Sequence, residues 1–101
     1  MHVISKRPFT EAATNYPNDA DALMRTYRLL DAAEVALPTE LKKIFGSLDN
    51  FKYEDRWWVI DIGGNNLRLI AFIDFRTGWV LIKHIVTHAD YDRICKKYRE
   101  R

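Results

Sequence analysis

The stretch 57-WWVIDIGGNNLRLIAFIDFRTGWVLIKHIV-86 sets the fold, because three of its segments are rich in β-branched and aromatic residues. These segments are 57-WWVIDI-62, 67-LRLIAFIDF-75 and 79-WVLIKHIV-86, separated by the short turns 63-GGNN-66 and 76-RTG-78. Consecutive strands joined by such short turns pair side by side and run antiparallel. The stretch therefore predicts a three-stranded antiparallel β-meander.

The residues before the meander have helical spacing instead. After a short first strand, 1-MHVI-4, apolar residues recur at helical intervals and predict helices over 6–15 and 19–34. A third, shorter helix follows Pro38, and Gly46 is suited to end it. The N-terminal half is therefore predicted to be one strand followed by helices.

The residues after the meander predict a final helix over 88–99. Thr87 and Asp90 resemble a capping box, with aspartate in place of the usual glutamate. Four residues at helical spacing should face the sheet: Tyr91, Ile94, Cys95 and Tyr98. The predicted fold class is a compact α+β domain spanning residues 1–101. Its N-terminal strand and helices pack on the meander, and a helix closes the chain.

Composition excludes several classes of protein. The chain has 101 residues, of which 48% are apolar and 30% charged, and these are proportions of a globular protein. Its single cysteine, Cys95, cannot form an internal disulfide, so nothing indicates secretion. The start MHVISKRPF is no signal peptide, and no apolar run reaches the roughly 18 residues of a membrane span. We therefore expect a cytoplasmic protein without a membrane partner.

Charge is unevenly distributed along the chain. Residues 1–50 hold six Lys and Arg against seven Asp and Glu, whereas residues 51–101 hold ten against seven. The tail 93-RICKKYRER-101 is especially basic. A basic half favours a nucleic-acid or acidic-protein partner, and a solvated helix face explains the same pattern.

Turn lengths predict which side chains meet across the sheet. A four-residue turn at 63–66 places Asp61 opposite Arg68. A three-residue turn at 76–78 places Phe75 opposite Trp79 and Arg68 opposite Val86. Arg68 should therefore lie at the end of the sheet where the last helix begins.

That end of the sheet collects groups suited to phosphodiester chemistry. His88, Tyr91 and Asp92 share one face of the final helix, at spacing i, i+3 and i+4. Arginine can stabilise charge on a reacting phosphate, and histidine or tyrosine can move protons. A structural ion pair between Arg68 and Asp61, with His88 merely in the first helical turn, is the simpler alternative.

A zinc site is the other interpretation of the histidines. His84 and His88 are four residues apart, as in a zinc-protease helix, but His84 falls in a strand and no glutamate lies between them. Lys83 and His84 should leave that strand on opposite faces. We therefore predict no metal site and no cofactor.

Three motifs resemble the HigB toxins, the RelE-superfamily mRNA interferases of bacterial type II toxin–antitoxin systems. They are 47-SLDNFKY-53, 63-GGNNLRLIA-71 and 87-THADYD-92, in that order, and the likeness covers nearly the whole chain. The resemblance implies a RelE-like fold and a ribosome-dependent endoribonuclease that cleaves translated mRNA and arrests growth. It also implies that the mRNA's own 2′-hydroxyl attacks the phosphate, without a metal.

The resemblance assigns roles to residues of the motifs. It makes Arg68 the residue that stabilises the phosphate and gives His88 or Tyr91 the acid/base role. Asp92 would orient a neighbour or cap the local structure, and Lys52 would hold the RNA backbone or a transition-state charge. Lys83 lies outside the motifs and is a further phosphate contact to consider.

The resemblance also implies partners. They are the ribosome with its mRNA, and a HigA-type antitoxin with a helix-turn-helix domain, through which alone the toxin would reach operator DNA. The alternative function is a catalytically inactive toxin-like domain that only binds an antitoxin or RNA. The sequence leaves open the codon preference, the mode of neutralisation and the oligomeric state.

Overall fold

A computed structural model describes all 101 residues. Its strands are β1 (His2–Val3), β2 (Asp49–Asn50), β3 (Trp57–Ile62), β4 (Leu67–Asp74) and β5 (Trp79–Thr87). Its helices are α1 (Arg7–Asn15), α2 (Ala20–Ala32), α3 (Pro38–Ile44) and α4 (His88–Arg99), with a 3-10 turn at Pro17–Asp19. The predicted α+β class is confirmed, and each predicted helix is present within a few residues of its expected bounds.

The five strands form one mixed sheet in the order β1-β5-β4-β3-β2. The central three strands are the antiparallel meander that the turns predicted. Two very short strands extend it, since β1 pairs parallel with the start of β5 and β2 pairs antiparallel with β3. The sequence did not predict β2, whose two residues are too few for any recognisable pattern.

Each face of the sheet is covered by different helices. One face packs on α1, α2 and α3 through the larger core, in which Phe9, Leu23 and Leu69 are fully buried. The other face carries a smaller core of Phe51, Val59 and Ile70. As predicted, α4 covers this second core with four side chains: Tyr91, Ile94, Cys95 and Tyr98.

The backbone of the 63–66 turn requires glycine at two positions. Gly63 and Gly64 have φ angles of 64° and 71°, in the left-handed region that glycine adopts without strain. The turn is also tied to the helical layer, because the Asn66 amide donates to Asp19 Oδ1 at 3.0 Å. The strands on either side pair with Asp61 opposite Arg68, as predicted.

The second hairpin differs from prediction at its tip. Its loop has four residues, 75–78, so Asp74 rather than Phe75 lies opposite Trp79. A β-bulge then shifts the pairing by one residue, since Ile70 faces His84 and Ala71 faces Ile82. Beyond the bulge the predicted pair of Arg68 and Val86 is restored, so the expected end of the sheet is correct.

Lys83 is the extra residue of this bulge, and the prediction that Lys83 and His84 point to opposite faces is wrong. Lys83 Nζ lies 5.4 Å from the centre of the Trp57 ring, and the His84 ring lies 6.5 Å from the same ring. A bulge interrupts the strict alternation of side chains. Both residues therefore contact one aromatic side chain.

The start of α4 is capped as predicted, but only in part. Thr87 Oγ1 accepts a hydrogen bond from the Asp90 backbone N–H at 3.3 Å. The Asp90 carboxylate does not return a bond to Thr87 and instead accepts from Arg93 at 2.6 Å. The cap fixes where α4 begins, and therefore where His88 and Tyr91 stand. No helix of the chain is long and apolar enough to cross a membrane.

Candidate functional site

Arg68 and Asp61 form an ion pair at the rim of the sheet. Arg68 Nε lies 3.1 Å from Asp61 Oδ1, and the side chains are 29% and 24% exposed. The Nε–H does not point at the oxygen, so the contact is electrostatic rather than a hydrogen bond. The guanidinium is held near one carboxylate, and the Arg68 side chain also interacts with the Tyr91 phenol.

Tyr91 supports the guanidinium from α4. The Arg68 Cζ atom lies 4.5 Å from the centre of the Tyr91 ring, a cation–π contact. Tyr91 also packs against the smaller core, because its ring contacts Phe51 edge-on with the ring centres 6.4 Å apart. The sheet supplies Arg68, α4 supplies Tyr91, and Phe51 anchors them to the fold.

The Tyr91 phenol is protonated at neutral pH. Burial and the neighbouring Cys95 thiol raise the pKa of Tyr91 to about 12, and the Arg68 guanidinium lowers it by a smaller amount. A phenol with this pKa donates a proton or a hydrogen bond, and it is a poor proton acceptor. Tyr91 can therefore serve as an acid beside a cation.

His88 is the first residue of α4, one residue after the Thr87 cap. Its Nε2 atom is buried and has no hydrogen-bond partner in the protein. Buried polar atoms without partners are uncommon and costly, so a ligand that enters the site could supply the partner of this nitrogen. The structure brings Arg68 and Tyr91 into contact, whereas His88 joins them only through its position one turn earlier on α4.

Two of the predicted supporting residues lie on the surface. Lys52 is exposed in the loop between β2 and β3, and its Nζ stands 5.3 Å from the centre of the Tyr53 ring. Asp92 is exposed on α4 and forms no ion pair. Neither residue contacts Arg68, so a direct role of either would begin only when a ligand is bound.

Lys83 lies apart from the Arg68 rim. Its ammonium group rests on Trp57, at the start of β3, whereas Asp61 lies four residues further, about 13 Å along the strand. Burial, with the nearby charges of Lys83 and Lys97, lowers the pKa of His84. His84 is therefore a neutral imidazole at physiological pH. Together these residues form a second basic and aromatic cluster around Trp57.

The residues that could ligate a metal do not converge. His84 lies in β5 and His88 opens α4, so they do not share a helix face. No three His, Cys, Asp or Glu side chains surround a common point.

Three contributors to the site were not predicted. Cys95 raises the Tyr91 pKa, and its i, i+4 spacing from Tyr91 was the signal available in the sequence. Phe51 is the hub of the smaller core and lies within 47-SLDNFKY-53. Ser47, from the same motif, accepts a hydrogen bond from the Asp61 backbone N–H at 2.9 Å. This motif therefore holds Asp61 through Ser47 and packs against Tyr91 through Phe51.

The fold and the rim together define a small α+β protein of the RelE-like class. The family model that matches residues 19–94 describes a RelE-like toxic component of a toxin–antitoxin system. The chain is 50% identical over 100 residues to the mRNA interferase HigB of Escherichia coli O6:H1, covering 99% of this chain and 97% of that protein. It is 36% identical over 92 residues to the mRNA interferase toxin HigB of Escherichia coli K12, covering 91% and 88%.

These matches extend over most or nearly all of this chain and of each relative. An mRNA interferase HigB of Shigella flexneri is also 36% identical over 92 residues. The chain belongs to the HigB toxin family. The resemblance that the three sequence motifs indicated is confirmed.

Proposed function

We propose that this protein is an mRNA interferase, an endoribonuclease toxin that cleaves translated mRNA and thereby inhibits translation and growth. The observation that carries the proposal is the Arg68 guanidinium, held beside Asp61 with its Cζ atom 4.5 Å from the centre of the Tyr91 ring. The names of the HigB relatives, which are mRNA interferases, support the same activity.

The proposed reaction is attack by the RNA's own 2′-hydroxyl on the adjacent phosphorus. The 2′-oxygen–phosphorus bond forms as the 5′-oxygen–phosphorus bond breaks, leaving a 2′,3′-cyclic phosphate and a free 5′-hydroxyl. Arg68 stabilises the negative charge that builds on the phosphate oxygens. A planar guanidinium suits this task because two parallel N–H groups match two phosphate oxygens.

Tyr91 and His88 divide the proton transfers in this proposal. Because the pKa of Tyr91 is raised to about 12, its phenol donates the proton that the leaving 5′-oxygen requires. His88 accepts the proton of the attacking 2′-hydroxyl as the new bond to phosphorus forms, through the Nε2 atom that has no partner in the protein. The RNA, or a shift of the ring, must bring these two groups within hydrogen-bonding reach.

The remaining predicted residues hold the RNA. Lys52 and Lys83 are exposed cations over aromatic rings, and we assign them to the RNA backbone. Asp92, exposed one residue after Tyr91, is assigned to orienting its neighbours. The reaction uses no metal or other cofactor in this proposal, because Arg68 supplies the positive charge.

The proposal extends to the setting of the reaction. The substrate is mRNA on the ribosome, in the cytoplasm, and the whole of residues 1–101 acts as one domain. A HigA-type antitoxin with a helix-turn-helix domain neutralises the toxin, and only that partner carries it to operator DNA. The family description, a toxic component of a toxin–antitoxin system, supports an antitoxin partner.

The experiment compares Arg68→Ala with Arg76→Ala in a translating extract. Arg76 is the matched control, because it also pairs with an aspartate, Asp74, but at the other end of β4. Arg68→Ala should reduce cleavage by about 100- to 1000-fold, the usual effect of removing one charge-stabilising donor. Arg76→Ala should cleave like the wild type.

Two results would contradict the proposal. Arg68→Ala that cleaves at the wild-type rate would exclude Arg68 from the reaction. A folded wild-type protein that neither cleaves mRNA nor arrests growth on induction would favour the inactive, antitoxin- or RNA-binding alternative.

A further inference from the structure

Asp61 has no role in the proposed chemistry, yet it is the only acidic group in contact with Arg68. The two residues are directly opposite each other in the β3–β4 pair, so the strand register brings their side chains close together. The side chains are 29% and 24% exposed, and an ion pair in such a setting adds little net stability, because desolvation and screening offset its Coulomb attraction. Its presence at the rim therefore needs an explanation other than holding the fold together.

The contact with Asp61 limits where the Arg68 side chain can lie and engages it at Nε. Asp61 Oδ1 approaches Nε, the inner nitrogen, and the Tyr91 ring supports the guanidinium at 4.5 Å. The closest approach of Asp61 is therefore to Nε and not to either of the two terminal nitrogens. Those nitrogens form the fork that binds two oxygens of a phosphate.

Asp61 is itself held firmly. Its backbone N–H donates to Ser47 Oγ at 2.9 Å, which ties β3 to the segment before β2. Its strand continues into the 63–66 turn, where the Asn66 amide donates to Asp19 Oδ1 at 3.0 Å. A carboxylate on so constrained a strand is a fixed reference point for a long and flexible arginine side chain.

We propose that Asp61 is a positioning residue that holds Arg68 with its terminal nitrogens turned toward the phosphate of the mRNA. This inference rests on the proposed function. An arginine ordered before the substrate arrives loses no conformational freedom as charge develops, and that is how preorganised groups lower a reaction barrier. The unaligned Nε–H tightens onto Asp61 when the phosphate binds the other two nitrogens.

The opposite role for the same contact makes a different prediction. Asp61 could compete with the phosphate for the guanidinium, in which case removing its charge would strengthen RNA binding. A positioning residue acts mainly on kcat, whereas a competing carboxylate acts on KM. The two kinetic constants therefore decide between the roles.

The experiment measures kcat and KM for cleavage of ribosome-bound mRNA by Asp61→Asn. Asp74→Asn is the matched control, since it makes the same chemical change in the other Asp–Arg pair of this hairpin. Positioning predicts that Asp61→Asn lowers kcat by about 10- to 100-fold, the effect of displacing a reacting group by about 1 Å, with KM unchanged. A lower KM with unchanged kcat, or wild-type values of both, would overturn the inference.

A double substitution tests whether Asp61 acts through Arg68. In the Arg68→Ala background, Asp61→Asn should cause no further loss in single-turnover cleavage, because nothing remains to position. A further loss equal to that of the single substitution would show an independent role and refute the inference. Circular dichroism and thermal melting of each variant separate this effect from loss of the fold.

The two proposals fail in different ways. If the wild type does not cleave mRNA, the proposed function itself is wrong. If the wild type cleaves and Arg68→Ala does not, while Asp61→Asn matches the wild type, only the positioning role is wrong.

Discussion

Replacing Tyr91 with phenylalanine separates the chemistry of the rim from its packing. The substitution deletes only the phenolic O–H and keeps the ring. The ring retains its cation contact with Arg68 and its edge contact with Phe51, at 4.5 and 6.4 Å. We therefore expect Tyr91→Phe to fold like the wild type, with Arg68 in its place.

The expected magnitudes differ widely between activity and stability. Loss of a general acid lowers the cleavage rate by about 100- to 10,000-fold. Loss of one partly buried hydroxyl changes the free energy of unfolding at pH 7 by no more than about 1 kcal/mol. Activity should therefore fall far more than stability, which is the signature of a residue that acts in the reaction.

The phenol also predicts how stability depends on pH. Its pKa is raised from 10.0 to about 12 in the folded protein, so folding favours the protonated phenol. The resulting stabilisation is fully present below pH 10 and is lost as the pH rises through 12. Two pKa units correspond to about 2.7 kcal/mol. Since Tyr91 is partly exposed, we expect about 1 kcal/mol.

The assay compares Tyr91→Phe with Tyr98→Phe. Tyr98 lies two turns further along α4 in the same aromatic cluster, with its ring centre 5.6 Å from that of Phe51. The rate at which translated mRNA is cleaved should fall in Tyr91→Phe and stay at the wild-type level in Tyr98→Phe. Unfolding by urea between pH 9 and pH 12 should show a smaller alkaline loss of stability for Tyr91→Phe than for the wild type. Wild-type cleavage by Tyr91→Phe would refute the assignment of Tyr91 as the proton donor.

Three further substitutions test other parts of the structure. His88→Leu removes the unpartnered Nε2, so we expect cleavage to fall about 100-fold while the melting temperature stays equal or rises. Gly63→Ala should destabilise the protein in urea by about 1 kcal/mol more than Gly64→Ala, because only at Gly63 would the new Cβ meet Asp19, at 2.5 Å from Oδ1. Equal losses would contradict that packing. Thr87→Ala should cost about 1 kcal/mol in the same titration through loss of the α4 cap, and Thr87→Ser should restore most of it.

The sequence predicted the end of the sheet that carries the site, for reasons visible in the residues. The two glycines of 63–66 require a turn with positive φ, and that turn fixes Asp61 opposite Arg68. Thr87 marks the start of α4, and the helical period then places Tyr91 toward the sheet. Local chemistry determines each of these features, so a single sequence was enough to predict them.

The remaining features depend on contacts between distant segments. The bulge at Lys83 compensates for a loop one residue longer than predicted, and neither its place nor its effect is written in the local pattern. The sequence predicted the strand β1 itself, but its parallel pairing with β5 joins residues almost 80 positions apart, and no local pattern indicates that partner. The pKa of Tyr91 is raised because its phenol is partly buried in the folded protein, and the spacing of residues does not reveal how far a side chain is buried.

Mapping the ends of mRNA cut by the wild-type protein, with and without active translation, tests whether the protein is a ribosome-dependent mRNA interferase. We expect cuts within the translated region that leave 5′-hydroxyl and 2′,3′-cyclic phosphate ends. These cuts should be absent from the same mRNA without ribosomes and reduced to background by Arg68→Ala. Ends bearing a 5′-phosphate, equal cutting of ribosome-free RNA, or unchanged cutting by Arg68→Ala would contradict the proposed function.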